Sequence, residues 1–349
     1  MPEPRFLVLR LGSLGDIVHT FSAVAALREA FPASDIVWLT HPRWHLLVES
    51  SGLASEIRRI EPRSFSSLHS AIAQIRASRW DAAIDYQGLW KSAALPFFGG
   101  VHRRVGFSSS TIREFGVPVL YTERVKAKRT HIAEQNGELS VRVGAQRVAT
   151  PFSLCVSTEK ESAVRSQLLR CGVDRYIVLS PGGGWRAKCW PADRFGELCR
   201  QIHKALGLRC VVNYGPGEND LAEAVRAASG DAEPLLYDGE LGYLMALLRD
   251  AICIVGGDTG PLHLAIALGT PAVALYGPTD PSRNGPYHVT DRATSTQTGA
   301  AAHFGDDIVL RQTTAATSHA RNDQTDPSML AIDVASVFAA VCQRIGATT

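Results

Sequence analysis

Several features that define other protein classes are missing from this 349-residue sequence. It contains no uninterrupted apolar run of the length that crosses a bilayer, which argues against a membrane-spanning protein. Its N-terminal region reads as a first core strand and not as a secretory signal, so we expect a cytoplasmic protein. The seven cysteines form no C-x-x-C pair and match no zinc-ligand spacing, which argues against a structural zinc site and a disulfide framework.

Two signatures of cofactor chemistry are also missing. The first Gly-rich turn has only Gly12 and Gly15 at three-residue spacing, which is not the complete G-x-G-x-x-G of a dinucleotide site. An NAD-dependent oxidoreductase is therefore disfavoured. No Asp-x-Asp pair and no His/Asp cluster has the spacing of metal ligands, so the sequence predicts neither a metal nor another cofactor.

Charge is distributed unevenly along the chain. Residues 1–150 contain 19 Lys and Arg against 13 Asp and Glu, whereas residues 151–349 contain 17 against 21. The basic side chains between Arg103 and Arg129 are too sparse, and too poor in interleaved aromatics, for a typical nucleic-acid surface. We therefore expect no nucleic-acid partner, and an anionic small molecule or lipid head group fits this half better.

Short apolar strands alternate with helical segments in two successive runs. Each run predicts a parallel sheet with helices on both faces. The fold class is therefore α/β, with two Rossmann-like domains facing each other across a central cleft. The pattern breaks near Pro151, so we place the domains at 1–155 and 156–328, followed by a C-terminal helix in 329–349 that packs back on the body. The polar segment 290–327 is predicted to be mostly loop.

The segment 252–281 is the most informative part of the chain. It reads as a buried strand, a Gly-Asp-Thr-Gly turn, a helix that begins near Pro261 and ends at Gly269, and a second buried strand. Such a turn directs backbone N–H groups and a helix N-terminus to the carboxyl end of a strand, where phosphate binds. The predicted ligand-binding residues here are Asp258, Thr259, Gly260, Pro261, Leu262 and His263. Asp258 is expected to face sugar hydroxyls, and His263 to be structural.

Two other strand ends carry candidate ligand-binding residues. Gly183 and Gly184 let a ligand approach the backbone closely, and Lys188 follows them on the same loop. Lys188 is either a solvated surface lysine or a cation that neutralises a leaving diphosphate, and the Gly-rich loop favours the second interpretation. Glu218 either accepts hydrogen bonds from ribose hydroxyls or caps the helix that it opens.

Asp16 is the candidate catalytic residue of the first half. It follows the turn Arg10–Gly15 and lies at the start of the first helix. An acidic residue at that position commonly accepts hydrogen bonds as a helix cap. The alternative is a general base, which requires a carboxylate within hydrogen-bond reach of a substrate hydroxyl. Position alone does not distinguish the two roles.

Several segments, in this order, resemble a known family. They are LRLGSLGDIVHTFSAV near the start, IDYQGLWKSA at 84–93, THIAEQN at 130–136, the Lys-Cys-Trp-Pro loop at Lys188, and GDTGPLHLAIALGTPAVALYGPTDP at 257–281. Together they resemble the ADP-heptose:lipopolysaccharide heptosyltransferases, and they are most similar to heptosyltransferase I. The resemblance extends from Arg5 to about Tyr287.

The resemblance implies a GT-B glycosyltransferase that moves heptose from ADP-L-glycero-β-D-manno-heptose to a Kdo residue of the lipopolysaccharide inner core, with inversion and without an essential metal. It implies a monomer that contacts the inner face of the inner membrane transiently. Two alternatives stay open. One is heptosyltransferase II or a related transferase with another nucleotide-sugar or acceptor, and the other is a non-catalytic nucleotide-sugar-binding protein.

The resemblance also assigns roles by position. It implies that Asp16 is the catalytic base, that Lys188 contacts the donor phosphate and sugar, and that Glu218 contacts the ribose. The implied donor-binding set also contains Gly183, Gly184 and Asp258 to His263, and the implied acceptor-binding set contains Arg10, Ser13, Lys91 and Arg113. Family members often carry Thr or Ser where this chain has Gly183 and Gly184, so backbone contacts to the diphosphate are expected there.

Overall fold

The chain folds into two compact units, Met1–Cys155 and Val156–Thr349. The structure is a computed structural model that describes residues 3–112, 114–289, 307–318 and 323–347, together with the backbone of 295–298 and 301–304. Each unit has its own sheet and its own apolar core.

The first unit contains one parallel sheet. Its strands are β1 (Arg5–Leu9), β2 (Asp35–Thr40), β3 (Glu56–Arg59), β4 (Ala82–Asp85), β5 (Arg104–Phe107) and β6 (Glu123–Val125). They lie in the order β3-β2-β1-β4-β5-β6, and every neighbouring pair is parallel. The helices are α1 (Leu14–Ala30), α2 (His45–Ser50), α3 (Phe65–Arg76), α4 (Trp90–Phe98) and α5 (Ile132–Val143), and a 3₁₀ turn spans Val117–Leu120. The central position of β1 and β4 brings the segments that follow them side by side.

The helices of the first unit cover both faces of this sheet. Side chains of a strand point alternately to its two faces. Leu9 packs with Leu95 of α4 and Ile75 of α3 in one core cluster. On the other face, the hydroxyls of Tyr86 and Ser140 of α5 share a hydrogen bond of 2.7 Å. Helices α3 and α4 therefore lie on one face, and α5, which packs on α1, lies on the other.

The second unit repeats the pattern and extends it. Its strands are β7 (Tyr176–Ser180), β8 (Arg209–Asn213), β9 (Leu235–Tyr237), β10 (Cys253–Gly257), β11 (Ala272–Leu275), β12 (Ser295–Thr298), β13 (Ala301–Phe304) and β14 (Asp307–Leu310). Their order is β12-β13-β14-β11-β10-β7-β8-β9. The six strands from β14 to β9 are parallel, and β13 and β12 continue the sheet as an antiparallel pair.

The helices of the second unit are α6 (Thr158–Arg170), α7 (Ala192–Leu206), α8 (Asn219–Ala228), α9 (Leu241–Asp250), α10 (Gly260–Ala267), α11 (Pro281–Asn284), α12 (Pro327–Leu330) and α13 (Val334–Ile345). The single C-terminal helix predicted in 329–349 is divided into α12 and α13. The Asp333 side chain accepts a hydrogen bond of 2.8 Å from the Ser336 N–H and so caps a new helix. Helix α13 packs into the core of the second unit.

The segment 290–327 contains more regular structure than the sequence predicts, because β14 is a buried core strand beside β11. Its first residue, Asp307, is almost fully buried. The Asp307 carboxylate accepts a hydrogen bond of 2.9 Å from the Ala272 N–H and lies 2.7 Å from His288 Nε2 and 3.6 Å from Arg344 Nε. One carboxylate thus connects β14 with β11, with the chain after α11 and with α13.

No helix in the described part of the chain is both long enough and apolar enough to cross a membrane.

Candidate active site

The first candidate group lies where β1 ends and α1 begins. The helix begins at Leu14, so Asp16 is its third residue and Ser13 precedes it as the cap. Asp16 Oδ1 pairs with Arg10 Nη2 at 2.7 Å, and Asp16 Oδ2 accepts hydrogen bonds from the Ser13 N–H at 3.1 Å and the Ser13 hydroxyl at 2.9 Å. Arg10 is buried, whereas the Asp16 side chain is 43% exposed. The structure therefore brings three predicted site residues together and leaves their carboxylate accessible.

A second turn supports this group from the neighbouring strand. Strands β1 and β4 are paired, and the chain that leaves β4 passes beside Arg10–Gly12. Arg10 Nη1 donates to the Tyr86 carbonyl. Gln87 Oε1 accepts hydrogen bonds from the Leu11 N–H at 3.0 Å and the Gly12 N–H at 3.3 Å. Sequence reasoning missed this role of Gln87, although its position two residues after the end of β4 was the available signal.

The turn that carries Gln87 is itself held by the buried Asp85 carboxylate. Asp85 Oδ1 accepts hydrogen bonds from the Gln87 N–H at 2.9 Å and the Gly88 N–H at 3.1 Å. Asp85 Oδ2 accepts from the Ser92 hydroxyl at 2.9 Å and the Tyr121 hydroxyl at 2.7 Å. Burial raises the pKa of Asp85, and these hydrogen bonds oppose the rise. Four donors around one carboxylate fix the backbone of the turn.

The two remaining acceptor candidates are not part of this group. Lys91 lies in the first turn of α4 with an exposed side chain, and it makes no hydrogen bond or ion pair with any residue that the structure describes. Arg113 lies outside the described residues. Their roles in acceptor binding stay predictions.

The second candidate group lies at the carboxyl ends of β7 and β10. Lys188 Nζ donates to the Asp258 carbonyl and lies 3.8 Å from Asp258 Oδ2, and His263 Nε2 lies 3.0 Å from Asp258 Oδ1. Burial alone would raise the pKa of Asp258, but the His263 hydrogen bond and the Lys188 charge outweigh it, so this pKa lies below its usual value. The sequence predicts that Asp258 faces sugar hydroxyls, whereas the structure directs its two oxygens at Lys188 and His263.

The start of α10 is suited to an anion. Thr259 precedes the helix, and N–H groups in a first helical turn have no intrahelical acceptor. Pro261 has no N–H, so the amides that this segment can offer are those of Thr259, Gly260 and Leu262. The Thr259 hydroxyl is buried and has no hydrogen-bond partner among the described residues. The helix dipole, these amides and Lys188 together favour negative charge at this point.

Glu218 lies at the end of the neighbouring strand β8. Its Oε2 accepts a hydrogen bond of 2.8 Å from the Gly215 N–H, and its side chain does not cap α8. The Glu218 carboxylate lies against Gly182, where a Cβ atom would collide with it. At Gly183 a Cβ would lie 3.0 Å from Cys189 Sγ, whereas at Gly184 it would meet nothing within 4 Å. A side chain at Gly182, which the sequence analysis did not single out, would therefore have to displace the Glu218 carboxylate.

Within the described residues, no cluster of three or more His, Cys, Asp and Glu side chains could hold a metal ion. The cations of the two groups are Arg10, paired with Asp16, and Lys188, close to Asp258. Both groups combine a carboxylate and a cation at a strand end, which is the usual place for ligand binding in parallel α/β sheets.

Comparison with known proteins identifies the family. Residues 68–312 match the family described as glycosyltransferase family 9 (heptosyltransferase). The chain belongs to glycosyltransferase family 9. One family relative, the lipopolysaccharide heptosyltransferase 1 of Salmonella typhimurium, is 30% identical over 300 residues, which are 81% of this chain and 91% of that protein.

Two solved structures extend this family-9 comparison to the fold. The glycosyl transferase family 9 protein from Veillonella parvula has a TM-score of 0.81 and 21% identity, covering 99% of this chain and 98% of that one. The structure of E. coli heptosyltransferase WaaC with ADP has a TM-score of 0.66 and 25% identity, covering 81% and 90%. The predicted family and the predicted GT-B class of two Rossmann-like domains are confirmed. This family-9 chain is a glycosyltransferase of the heptosyltransferase type.

Proposed function

We propose that this chain transfers heptose from ADP-L-glycero-β-D-manno-heptose to a Kdo residue of the lipopolysaccharide inner core, with inversion, as a heptosyltransferase of type I. The names of two relatives support this proposal, since one is a lipopolysaccharide heptosyltransferase 1 and another was solved with ADP. Heptosyltransferase II, or a transferase with another nucleotide-sugar or acceptor, is the alternative function.

The observation that carries the donor assignment is the group formed by Lys188, Asp258 and Thr259. A flexible ammonium, helix-terminal amides and an unpartnered buried hydroxyl converge at one strand end. A diphosphate can accept hydrogen bonds from all three. His263 holds the Asp258 carboxylate through Oδ1. Asp258 in turn orients Lys188 Nζ through its backbone carbonyl and through Oδ2. Asp258 and His263 therefore act by positioning, and Glu218 is proposed to accept hydrogen bonds from the donor ribose.

The proposed reaction is a direct displacement. Asp16 takes the proton from a Kdo hydroxyl, and the resulting oxygen nucleophile forms a bond to the anomeric carbon of heptose. The bond from that carbon to the diphosphate breaks, and ADP leaves with the electron pair. Lys188 and the amides at the start of α10 stabilise the charge that develops on ADP. The 2.7 Å contact with Arg10 Nη2 holds one oxygen of the Asp16 carboxylate in place.

We propose that the acceptor's anionic groups are held by the first unit, with contributions from Arg10, Ser13, Lys91 and Arg113. Arg10 already contacts Asp16 and Tyr86, so its main contribution is to orient the base.

Transfer is proposed to need no metal, because Lys188 and the helix N-terminus supply the positive charge. Dialysis of the enzyme against EDTA should then leave its turnover unchanged, and restoration of lost activity by Mg²⁺ or Fe²⁺ would contradict this proposal.

The deciding experiment is a donor and acceptor screen read by mass spectrometry. ADP-heptose, ADP-glucose and UDP-glucose are each incubated with Kdo₂-lipid A and with the same acceptor already carrying one heptose. The proposal expects a single heptose added to Kdo₂-lipid A from ADP-heptose only. Transfer only to the heptose-bearing acceptor would favour the type II alternative. Donor binding without any product would favour the non-catalytic alternative.

A further inference from the structure

Helix α4 presents aromatic side chains that are only partly covered by the rest of the first unit. Trp90 and Phe97 follow helical spacing along one side, with Phe98 beside them. Phe97 is 41% exposed and Phe98 is 56% exposed, and the two rings lie 5.3 Å apart. Ala93 and Leu95 of the same helix are buried in cores. The exposed face is thus additional to the one that holds the helix on the sheet.

The segment 115–119 extends this face. Trp90 Nε1 donates a hydrogen bond of 3.2 Å to the Phe115 carbonyl, and a Cβ at Gly116 would lie 3.0 Å from the Trp90 ring. The Phe115 side chain is 98% exposed, and Val119 is exposed as well. The α4 patch consists of Trp90, Phe97, Phe98, Phe115 and Val119.

Four cations lie around the α4 patch. Arg104 lies 5.3 Å over the Phe97 ring and donates to the Leu120 carbonyl. Arg124 donates to the Pro118 carbonyl, and Arg76 donates to the Phe98 carbonyl. The exposed Lys91 follows Trp90 directly. Within the described residues, no carboxylate lies within ion-pair distance of any of these four, and the acid that touches the patch is Glu114, at the Trp90 N–H.

We propose that the α4 patch docks this protein on an anionic lipid surface, with the aromatic rings at the head-group level and the four cations facing lipid phosphates. The aromatic residues are amphipathic or apolar and the surrounding charge has one sign, which is the combination that binds such an interface. A second copy of the chain fits less well, because a two-fold contact would place these cations against their own images. The proposal rests on the proposed function in one respect, namely that the acceptor is a lipid.

The test is sedimentation of the full chain with vesicles. Vesicles of phosphatidylethanolamine and phosphatidylglycerol should bind the wild type, and vesicles of phosphatidylcholine alone should bind it at least about ten-fold less, with the difference reduced at high salt. The double variant Phe97→Ser/Phe98→Ser should lose at least about ten-fold in partition to the anionic vesicles. Thermal unfolding of the variant verifies that it is folded.

A matched pair of variants distinguishes an effect specific to the α4 patch from the effect of removing any exposed apolar side chain. Val119→Ser removes a valine of the patch, whereas Val141→Ser removes a valine that is 42% exposed on α5, on the opposite face of the sheet. Val119→Ser should weaken vesicle binding, and Val141→Ser should not. Equal binding by both variants together with equal binding by the folded double variant would overturn the proposal.

Activity assays keep this proposal distinct from the proposed function. With a water-soluble acceptor that lacks acyl chains, Phe97→Ser/Phe98→Ser should keep the wild-type kcat, and with acceptor embedded in vesicles its rate should fall. If the wild type lacks transferase activity altogether, sedimentation still tests the docking surface. A concentration-dependent dimer that the double variant abolishes, without any vesicle binding, would identify a second copy as the occupant and overturn the lipid assignment.

Discussion

Asp16 caps α1, and its position is compatible with the catalytic role proposed for it as well. It is the third residue of α1 and accepts a hydrogen bond from the Ser13 N–H, as the acid of a capping box does. The same carboxylate pairs with Arg10 and stays partly exposed. Its structural contacts fix the orientation that a general base needs, so capping and catalysis are compatible here.

The first prediction separates these roles. Asp16→Asn keeps an oxygen that can accept from Ser13 but removes the charge and the basicity. Turnover should fall by about 10²–10⁴-fold, the usual contribution of a general base, while the affinity for ADP and the melting temperature change little. Steady-state kinetics and ADP titration measure this. Ser13→Ala is the control and should lose less than about ten-fold, and near wild-type turnover in Asp16→Asn would remove it from the role of base.

The second prediction concerns the acid stability of Asp258. A carboxyl group whose pKa is lower in the folded chain stabilises the fold above its unfolded pKa, and that contribution disappears as the pH falls through the folded pKa. The unfolding free energy should therefore decrease below about pH 4, since the unfolded value is 3.8. Urea titrations across that range should show a smaller decrease for Asp258→Asn than for wild type. Parallel curves for the two proteins would contradict the role of this group.

At the scale of elements, the first candidate group depends on two turns that follow adjacent parallel strands. The β1 turn carries Arg10, Ser13 and Asp16, and the β4 turn supports it through Gln87 and the Tyr86 carbonyl. The β4 turn is itself held by the Asp85 carboxylate, which accepts hydrogen bonds from the Gln87 and Gly88 N–H groups. The conformation of the β1 turn is therefore held by hydrogen bonds to the turn that follows β4.

The third prediction tests this support. Gln87→Leu leaves the Leu11 and Gly12 N–H groups without their acceptor, so the β1 turn and Asp16 should lose their fixed orientation. We expect kcat to fall about ten-fold or more, with the KM for the donor unchanged because the proposed donor contacts lie in the second unit. Gln87→Glu retains an acceptor and should restore most of the rate. Equal losses in both variants would indicate a role for the Gln87 amide N–H₂ instead.

The sequence predicts those parts of the fold that have strong local signals. The apolar runs of β10 and β11, with Pro261 and Gly269 between them, are sufficient to predict strand, turn, helix and strand. Strand β14 has only Ile308, Val309 and Leu310 between polar residues, too short a run to distinguish from a loop. Strand β3 is a half-exposed edge strand with the sequence EIRR, and it lacks an apolar run altogether.

The sequence predicts which strand ends carry the candidate site residues, but it does not predict the contacts between these residues. Lys188, Glu218 and Asp258 follow β7, β8 and β10, as their loop positions indicate. The pairing of Arg10 with Asp16 and the contacts of Gln87 depend on the register of β1 beside β4, where Leu9 lies opposite Asp85. Periodicity within one strand carries no information about its register with another, so these contacts required the structure.

At the scale of the molecule, the two units have separate cores. Leu198 belongs to a cluster built only from the second unit, and Leu9 to one built only from the first. Each unit also carries one of the two candidate groups, with Asp16 in the first and Lys188 in the second. Core substitutions and ligands are therefore expected to act on one unit at a time.

The fourth prediction uses hydrogen exchange with mass spectrometry. Leu198→Ala and Leu9→Ala each remove a fully buried side chain, which costs about 2–5 kcal/mol. Leu198→Ala should raise exchange in segments from 156 to 347, and Leu9→Ala in segments from 3 to 155. ADP should protect the second unit, most strongly at 182–188 and 258–263. Uniform changes along the chain for both variants would show that the two units unfold together.

Asp307 has a practical consequence for anyone who shortens this protein. Its carboxylate joins Ala272, His288 and Arg344, and the last of these lies on α13, whose Val337 and Val341 fill the core of the second unit. A truncation before α13 would remove Arg344 from the buried Asp307 carboxylate and would expose the core residues that α13 covers. An affinity tag at this end should therefore follow α13 and not replace it.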